Sequence, residues 1–261
     1  MRLPVKFRSV SASLTAAAIA VLLTACGGSD DANPGAQTSA VSGTAAVGAP
    51  LVGAQVTLTC ASGNTITGVT NSAGLYNTSA ATIRLPCIGQ ATKAPITYRG
   101  VLFSGSTANF TPLTDILVEV ILAAAAPGGT SMTLTQFLAK IQTDATFAAN
   151  VSAPSAVAAY RNVVVALVRE RLRDAGLSQA LLGALLNANF ESAIFAANPN
   201  DPLDRLLENL KVVLQGPDGN VLAAVLAAAK LAGDELPTPP STGTGAPGTG
   251  GSGGTGGTGG T

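Results

Sequence analysis

The hydrophobic period of this chain changes near residue 111, and that change restricts the fold more than any other feature. Before it, β-branched residues alternate with polar ones between Gly/Asn turns. Val56, Leu58 and Cys60 fall on one side and Gln55, Thr57 and Thr59 on the other, the period of a half-buried strand. The same texture predicts strands over 41–47, 64–70, 74–78, 82–87 and 95–104. Strands this short and regularly spaced suit a β-sandwich. After Thr111 the period is helical: Leu113, Ile116, Leu117, Val120 and Ile121 recur at i, i+3, i+4, i+7 and i+8, with Pro112 at the first helical position. Thr133 and Gln136 form a capping-box pattern ahead of Phe137, Leu138 and Ile141. A long helix is expected over 155–175, stopped by Gly176, and others over 178–188, 202–215 and 220–232. Asp201 and Pro202 provide the cap and first residue of the third of these, and Gly216 follows its end. Abundant alanine favours helix and lets helices approach closely. The expected fold class is α+β: a small N-terminal β-sandwich over 41–111, then an all-α helical domain over 112–236.

The ends of the chain read differently. Arg2, Lys6 and Arg8 precede a mostly apolar run from Val10 to Ala25, which closes in small residues before a cysteine. That is the layout of a secretory signal. It is too short and too rich in Ser and Thr for an uncleaved span of about 20 apolar residues. Residues 27–40 hold little that packs and read as a tether, giving 26–40 as the tether with its cysteine. Leu236 gives way to Pro237-Thr238-Pro239-Pro240 and a Gly/Thr run, so 237–261 reads as a disordered tail. Its Gly-Gly-Thr repeats lack the strand and helix that a phosphate-binding glycine loop requires.

Leu23-Thr24-Ala25-Cys26 resembles a bacterial lipobox. The resemblance implies cleavage after residue 25 and acylation of Cys26, which anchors the chain to a membrane; two or more acyl chains give stable anchoring. Glycine at position 27, in place of the aspartate that marks inner-membrane retention, implies the outer membrane. The mature chain then carries eleven basic and fourteen acidic residues. That balance lacks the basic footprint of a nucleic-acid binder. Cys60 and Cys87 remain, and two thiols in an exported chain pair most simply as a disulfide. Their closed loop of about 28 residues predicts a contribution of about 3–3.5 kcal/mol in the chain-entropy account.

Ser42-Gly43-Thr44-Ala45, Gly48-Ala49-Pro50-Leu51-Val52-Gly53-Ala54-Gln55-Val56-Thr57-Leu58 and Thr70-Asn71-Ser72-Ala73-Gly74-Leu75-Tyr76 together resemble the carboxypeptidase regulatory-like (transthyretin-like) β-sandwich. Asn71 stands where many members carry aspartate. The resemblance implies that Gly74 takes a positive φ in a tight turn and that Tyr76 packs on the sheet. The following Asn109-Phe110-Thr111-Pro112-Leu113-Thr114 resembles the junction between such a domain and a helical segment in bacterial lipoproteins. The similarity covers residues 41–121 and implies a fold rather than an activity.

The chain has no histidine, which removes Ser-His-Asp and Cys-His arrangements and most zinc sites. No catalytic, cofactor-binding or metal-ligating residue is assigned. Asp201, Asp204 and Glu208 lie close to one helical face, where capping and the helix dipole account for acids at a helix start. Asp218-Gly219-Asn220 reads as a turn with too few oxygens for calcium. Arg169, Arg171 and Arg173, interleaved with Glu170 and Asp174, read as a solvated face. Few aromatics and no tryptophan argue against carbohydrate or nucleic-acid stacking.

The expected function is a non-enzymatic binding or adhesive module on the outer membrane. Its partners are the membrane, through acyl chains on Cys26, and an envelope protein or surface ligand. The alternative is a structural protein that docks an envelope complex through its helices. A third reading, a hydrolase using carboxylates alone, requires two facing acids among Asp115, Glu119, Asp144 and Asp201.

Overall fold

Alternation along Gln55–Cys60 places Val56, Leu58 and Cys60 in the core and leaves Gln55, Thr57 and Thr59 on the outer face of a four-stranded sheet. The computed structural model describes residues 35–126, 130–178 and 189–241. Its strands are β1 (Ala36–Ser39), β2 (Ser42–Thr44), β3 (Gln55–Cys60), β4 (Thr65–Val69), β5 (Leu75–Asn77), β6 (Ala81–Arg84), β7 (Cys87–Lys93) and β8 (Ile96–Leu102). They form an antiparallel sheet in the order β4-β3-β7-β8 and two antiparallel pairs, β1-β6 and β2-β5. Strand β1 corrects only the end of the expected tether 26–40, whose residues 26–34 lie outside the described residues. Ala36–Ser39 is mostly exposed and polar, so no buried face announces it, yet it pairs along its whole length with β6. Strand β7 was also unforeseen. Pro86 and Pro95 bracket it, and Gly89 interrupts its alternation.

Glycine gives this sheet room for its neighbours. Gly89 and Gly100 face each other across β7 and β8, and a Cβ on Gly100 would overlap the Asn109 carbonyl and reach 2.9 Å from the Phe110 ring. Phe110 is thereby fully buried, with Tyr76 tilted against it at a centroid distance of 5.6 Å. Gly74 does adopt a positive φ, 73°. Asn71 holds the turn around it by accepting from the Ala73 and Leu75 amides at 2.9 and 3.1 Å.

The outer edge of β8 is closed by side chains rather than by a strand. Asn220 Oδ1 accepts from the Thr97 amide at 3.0 Å, and Asp115 Oδ1 from the Arg99 amide at 3.2 Å. The Thr114 hydroxyl donates to the Arg99 carbonyl at 2.8 Å, and Asn220 Nδ2 to the Pro95 carbonyl at 3.1 Å. Unpaired strand edges invite association, and these four bonds cover one. The turn expected at Asp218-Gly219-Asn220 thus also secures the sheet, and Tyr98 adds a hydrogen bond to the Gly219 carbonyl.

Six described helices follow: α1 (Pro112–Ala124), α2 (Leu134–Thr143), α3 (Ala145–Val151), α4 (Pro154–Asp174), α5 (Pro202–Leu214) and α6 (Ala223–Asp234). Thr111 caps α1 in a reciprocal capping box with Thr114, and Thr133 caps α2 with Gln136 in the same way. Asp144 caps the short α3, which sequence periodicity did not reveal. The α4 end is closed by Gly176 at a φ of 67°, with the Leu177 amide donating to the Leu172 carbonyl at 2.8 Å. Apart from Ser178, the helix expected over 178–188 lies outside the described residues.

Every α1 residue except Glu119 is buried, so the five-residue stripe read from the period understates its burial. The reason is tertiary: α1 packs against β8, α4 and α6. Gly233 of α6 lies so close to α1 that a Cβ there would come within 2.8 Å of Ala123. A single hydrophobic core joins sheet and helices, and the change of period at Thr111 is a change of secondary structure within it.

The disulfide joins Cys60 and Cys87, directly opposite on β3 and β7 with Cα atoms 3.8 Å apart. Both cysteines are fully buried. Replacing both by alanine is expected to cost about 2–4 kcal/mol. Urea unfolding of the oxidised chain against the double variant measures it.

Candidate functional site

Of the site residues read from sequence, Cys26 lies outside the described residues and Cys60 and Cys87 form the buried bridge. The four acids considered for hydrolysis occupy three separate positions. Asp144 accepts from the Phe147 amide at 2.8 Å as the α3 cap. Asp201 accepts from the Leu203 and Ala196 amides at 2.9 and 3.1 Å as the α5 cap. Asp115 and Glu119 are both taken by Arg99, whose Nε lies 2.5 Å from Asp115 Oδ1 and whose Nη1 lies 2.9 Å from Glu119 Oε2. Burial pushes the Asp115 carboxyl up, and Arg99 opposes that rise. Among the described residues, no three His, Cys, Asp or Glu side chains are placed to hold a metal.

Asn109 holds the irregular stretch over 189–201 ahead of α5. Its Oδ1 accepts from the Thr44 amide at 3.0 Å, and its Nδ2 donates to the Phe190 and Ala193 carbonyls at 3.0 and 2.8 Å. The Thr44 hydroxyl donates to the Phe195 carbonyl at 2.8 Å, and Arg161 grips the buried Glu191 carboxylate with two donors. The junction motif noted in the sequence is therefore a structural clasp, fully buried and fully bonded.

Several depressions open on the surface of the described residues. One, about 310 Å³, is a groove between the α3–α4 region and Leu236–Pro240. It is lined by Asn150, Ser155, Ala156, Ala159, Tyr160, Thr238 and neighbouring apolar residues, none of them charged. Pro239 is buried here and Asn150 Nδ2 donates to the Pro240 carbonyl at 2.9 Å, so ordered packing passes the expected boundary at Leu236. The rest of the tail, from residue 242, lies outside the described residues. Burial pushes the Tyr160 hydroxyl up to about 12, which keeps it a donor at neutral pH. That hydroxyl has no hydrogen-bond partner among the described residues.

A second depression, about 230 Å³, lies beside β2 and β5 with Leu75 and Ile194 among its lining residues. The third, about 240 Å³, is lined by Gly48, Pro199, Asp204, Arg205, Glu208 and Asn209. Asp204 is buried, and its Oδ1 has no hydrogen-bond partner among the described residues. Burial, and then the charges of Asp201 and Glu208, hold its carboxyl above the usual carboxylate range, while Lys211 pulls it down. A carboxyl raised by folding contributes its stability at low pH and loses it as pH rises through the carboxylate range. Asp204→Asn is therefore expected to raise the melting temperature at neutral pH and to match the parent in acid. Paired thermal melts across pH check it.

No family model, curated protein or solved structure matches this chain. Sequence reasoning passed over the groove because its two walls are far apart in the chain and made of alanine and proline. It absorbed Asp204 into the helix cap, although only Asp201 performs that role.

Proposed function

We propose that this chain is a lipid-anchored, non-enzymatic binding module of the outer membrane, held there through Cys26. In this reading the strands form a transthyretin-like sandwich, a scaffold on which recognition is separate from any chemistry. The observation that carries the proposal is the uncharged groove between α3–α4 and Leu236–Pro240. Its volume falls in the range of small-ligand sites, and it combines apolar walls with a few polar groups, the usual composition of such sites. The acids that a carboxylate hydrolase would need are occupied in caps and in the Arg99 cluster, which also supports binding over catalysis.

The second reading, docking of an envelope complex through the helices, rests on Val212 of α5 and Leu231 of α6, which are 76% and 68% exposed. No single described helix is long and apolar enough to cross a membrane. On the anchored reading, attachment comes from Cys26. Cell fractionation tests this: the parent chain is expected in the outer membrane and Cys26→Ala in the soluble fraction. A Cys26→Ala chain that stays with the membrane overturns the anchor. Protease digestion of intact against lysed cells then separates a surface ligand from a periplasmic partner.

A further inference from the structure

Asp204 sits in the first turn of α5, where the helix dipole favours an acid, yet its burial goes beyond what that role requires. Asp201 caps α5, and Glu208 pairs with Lys211 at 2.9 Å. Asp204 is 4% exposed and its Oδ1 has no donor among the described residues, a cost that native structures rarely carry without a reason. We propose that the depression around Asp204 binds a primary ammonium group.

The walls suit that charge and its three donors. Beside the Asp204 carboxylate stand the Glu208 carboxylate and Asn209, whose Nδ2 donates to the Arg205 carbonyl at 2.7 Å and leaves its side-chain oxygen to accept. Gly48 forms part of the lining at a φ of 95°, and a side chain there would press into Glu208. Gln215 seats this loop on α5 by donating to the Val47 carbonyl at 3.3 Å. Asp201, Asp204 and Glu208 outnumber the nearby cations, Arg205 and Lys211. Burial raises the Asp204 carboxyl first, and an arriving cation relieves the further repulsion from Asp201 and Glu208.

Two other cations fit less well. A guanidinium is recognised by a fork of parallel bonds, whereas Asp204 leaves one buried oxygen unbonded. A metal needs several converging ligands, and no such group of three exists among the described residues. The site goes beyond the groove reading, since the two depressions share no lining residue.

The ammonium can belong to a free amine or to a lysine side chain. Isothermal titration of the full-length chain in detergent separates them, with putrescine in one arm and Nα-acetyl-lysine amide in the other. Saturable one-to-one binding is expected in at least one arm, and the tighter arm names the source. Asp204→Asn is expected to weaken it roughly tenfold or more, the loss of one charge-assisted bond. Glu208→Gln is expected to weaken it several-fold, and Ala156→Trp in the groove to leave it unchanged. Asp204→Asn should fold at least as well as the parent, so lost binding is not lost structure. The proposal is overturned by no saturable binding in either arm, or by equal affinity in Asp204→Asn. Equal binding of tetramethylammonium, which has no N–H, or tighter binding of calcium that Asp204→Asn abolishes, also overturns it.

Discussion

Asn109→Ala is expected to destabilise the protein by about 3–5 kcal/mol. The change strands two buried groups, the Thr44 amide and the Phe190 carbonyl, and the half-buried Ala193 carbonyl. Each unsatisfied group costs about 1–3 kcal/mol, and the surrounding core gives little room for relief. Asn109→Asp should not rescue it, because a carboxylate would face two carbonyl oxygens. Urea unfolding measures the loss, and hydrogen exchange should show residues 189–195 opening first. A loss below about 1 kcal/mol would mean that this segment is not held by Asn109.

Arg99→Leu is the second large effect, with an expected cost of about 3–5 kcal/mol from leaving Asp115 buried without its counter-charge. Arg99 also holds Glu119, and its backbone amide and carbonyl bond to Asp115 and Thr114. Those backbone bonds survive the substitution, so the deficit is electrostatic. Without Arg99, the Asp115 carboxyl loses the interaction that opposes its rise. A group raised in the folded state loses stability as pH rises, so the variant should recover toward the parent in acid. Adding Asp115→Asn to Arg99→Leu should restore part of the loss at neutral pH. Thermal melts at neutral and mildly acidic pH test both statements, and a deficit independent of pH would contradict them.

Most of what was legible in the sequence is local. Pro112 at the start of α1, the caps at Thr133 and Asp201, the stop at Gly176 and the alternation of β3 follow from a few neighbouring residues, and the structure places them as read. Pairing of Cys60 with Cys87 followed from counting thiols. What escaped is set by distant partners. Strand β1 exists because β6 offers it an edge, and α1 is buried all round because β8, α4 and α6 enclose it. Asn220 looked like a turn residue because its second task, closing the β8 edge, lies more than a hundred positions away. The groove was invisible for the same reason: α4 and Pro239 meet only in the folded chain.

The most direct test of the binding reading is saturable association of the full-length chain with isolated cell-envelope fractions, compared with an Ala156→Trp variant. Ala156 lines the groove and is half-buried, so the larger side chain fills the space without entering the core. The account predicts saturable binding by the parent and its loss in the variant, with unfolding midpoints unchanged. Binding that survives the filled groove, or no saturable binding at all, would contradict it.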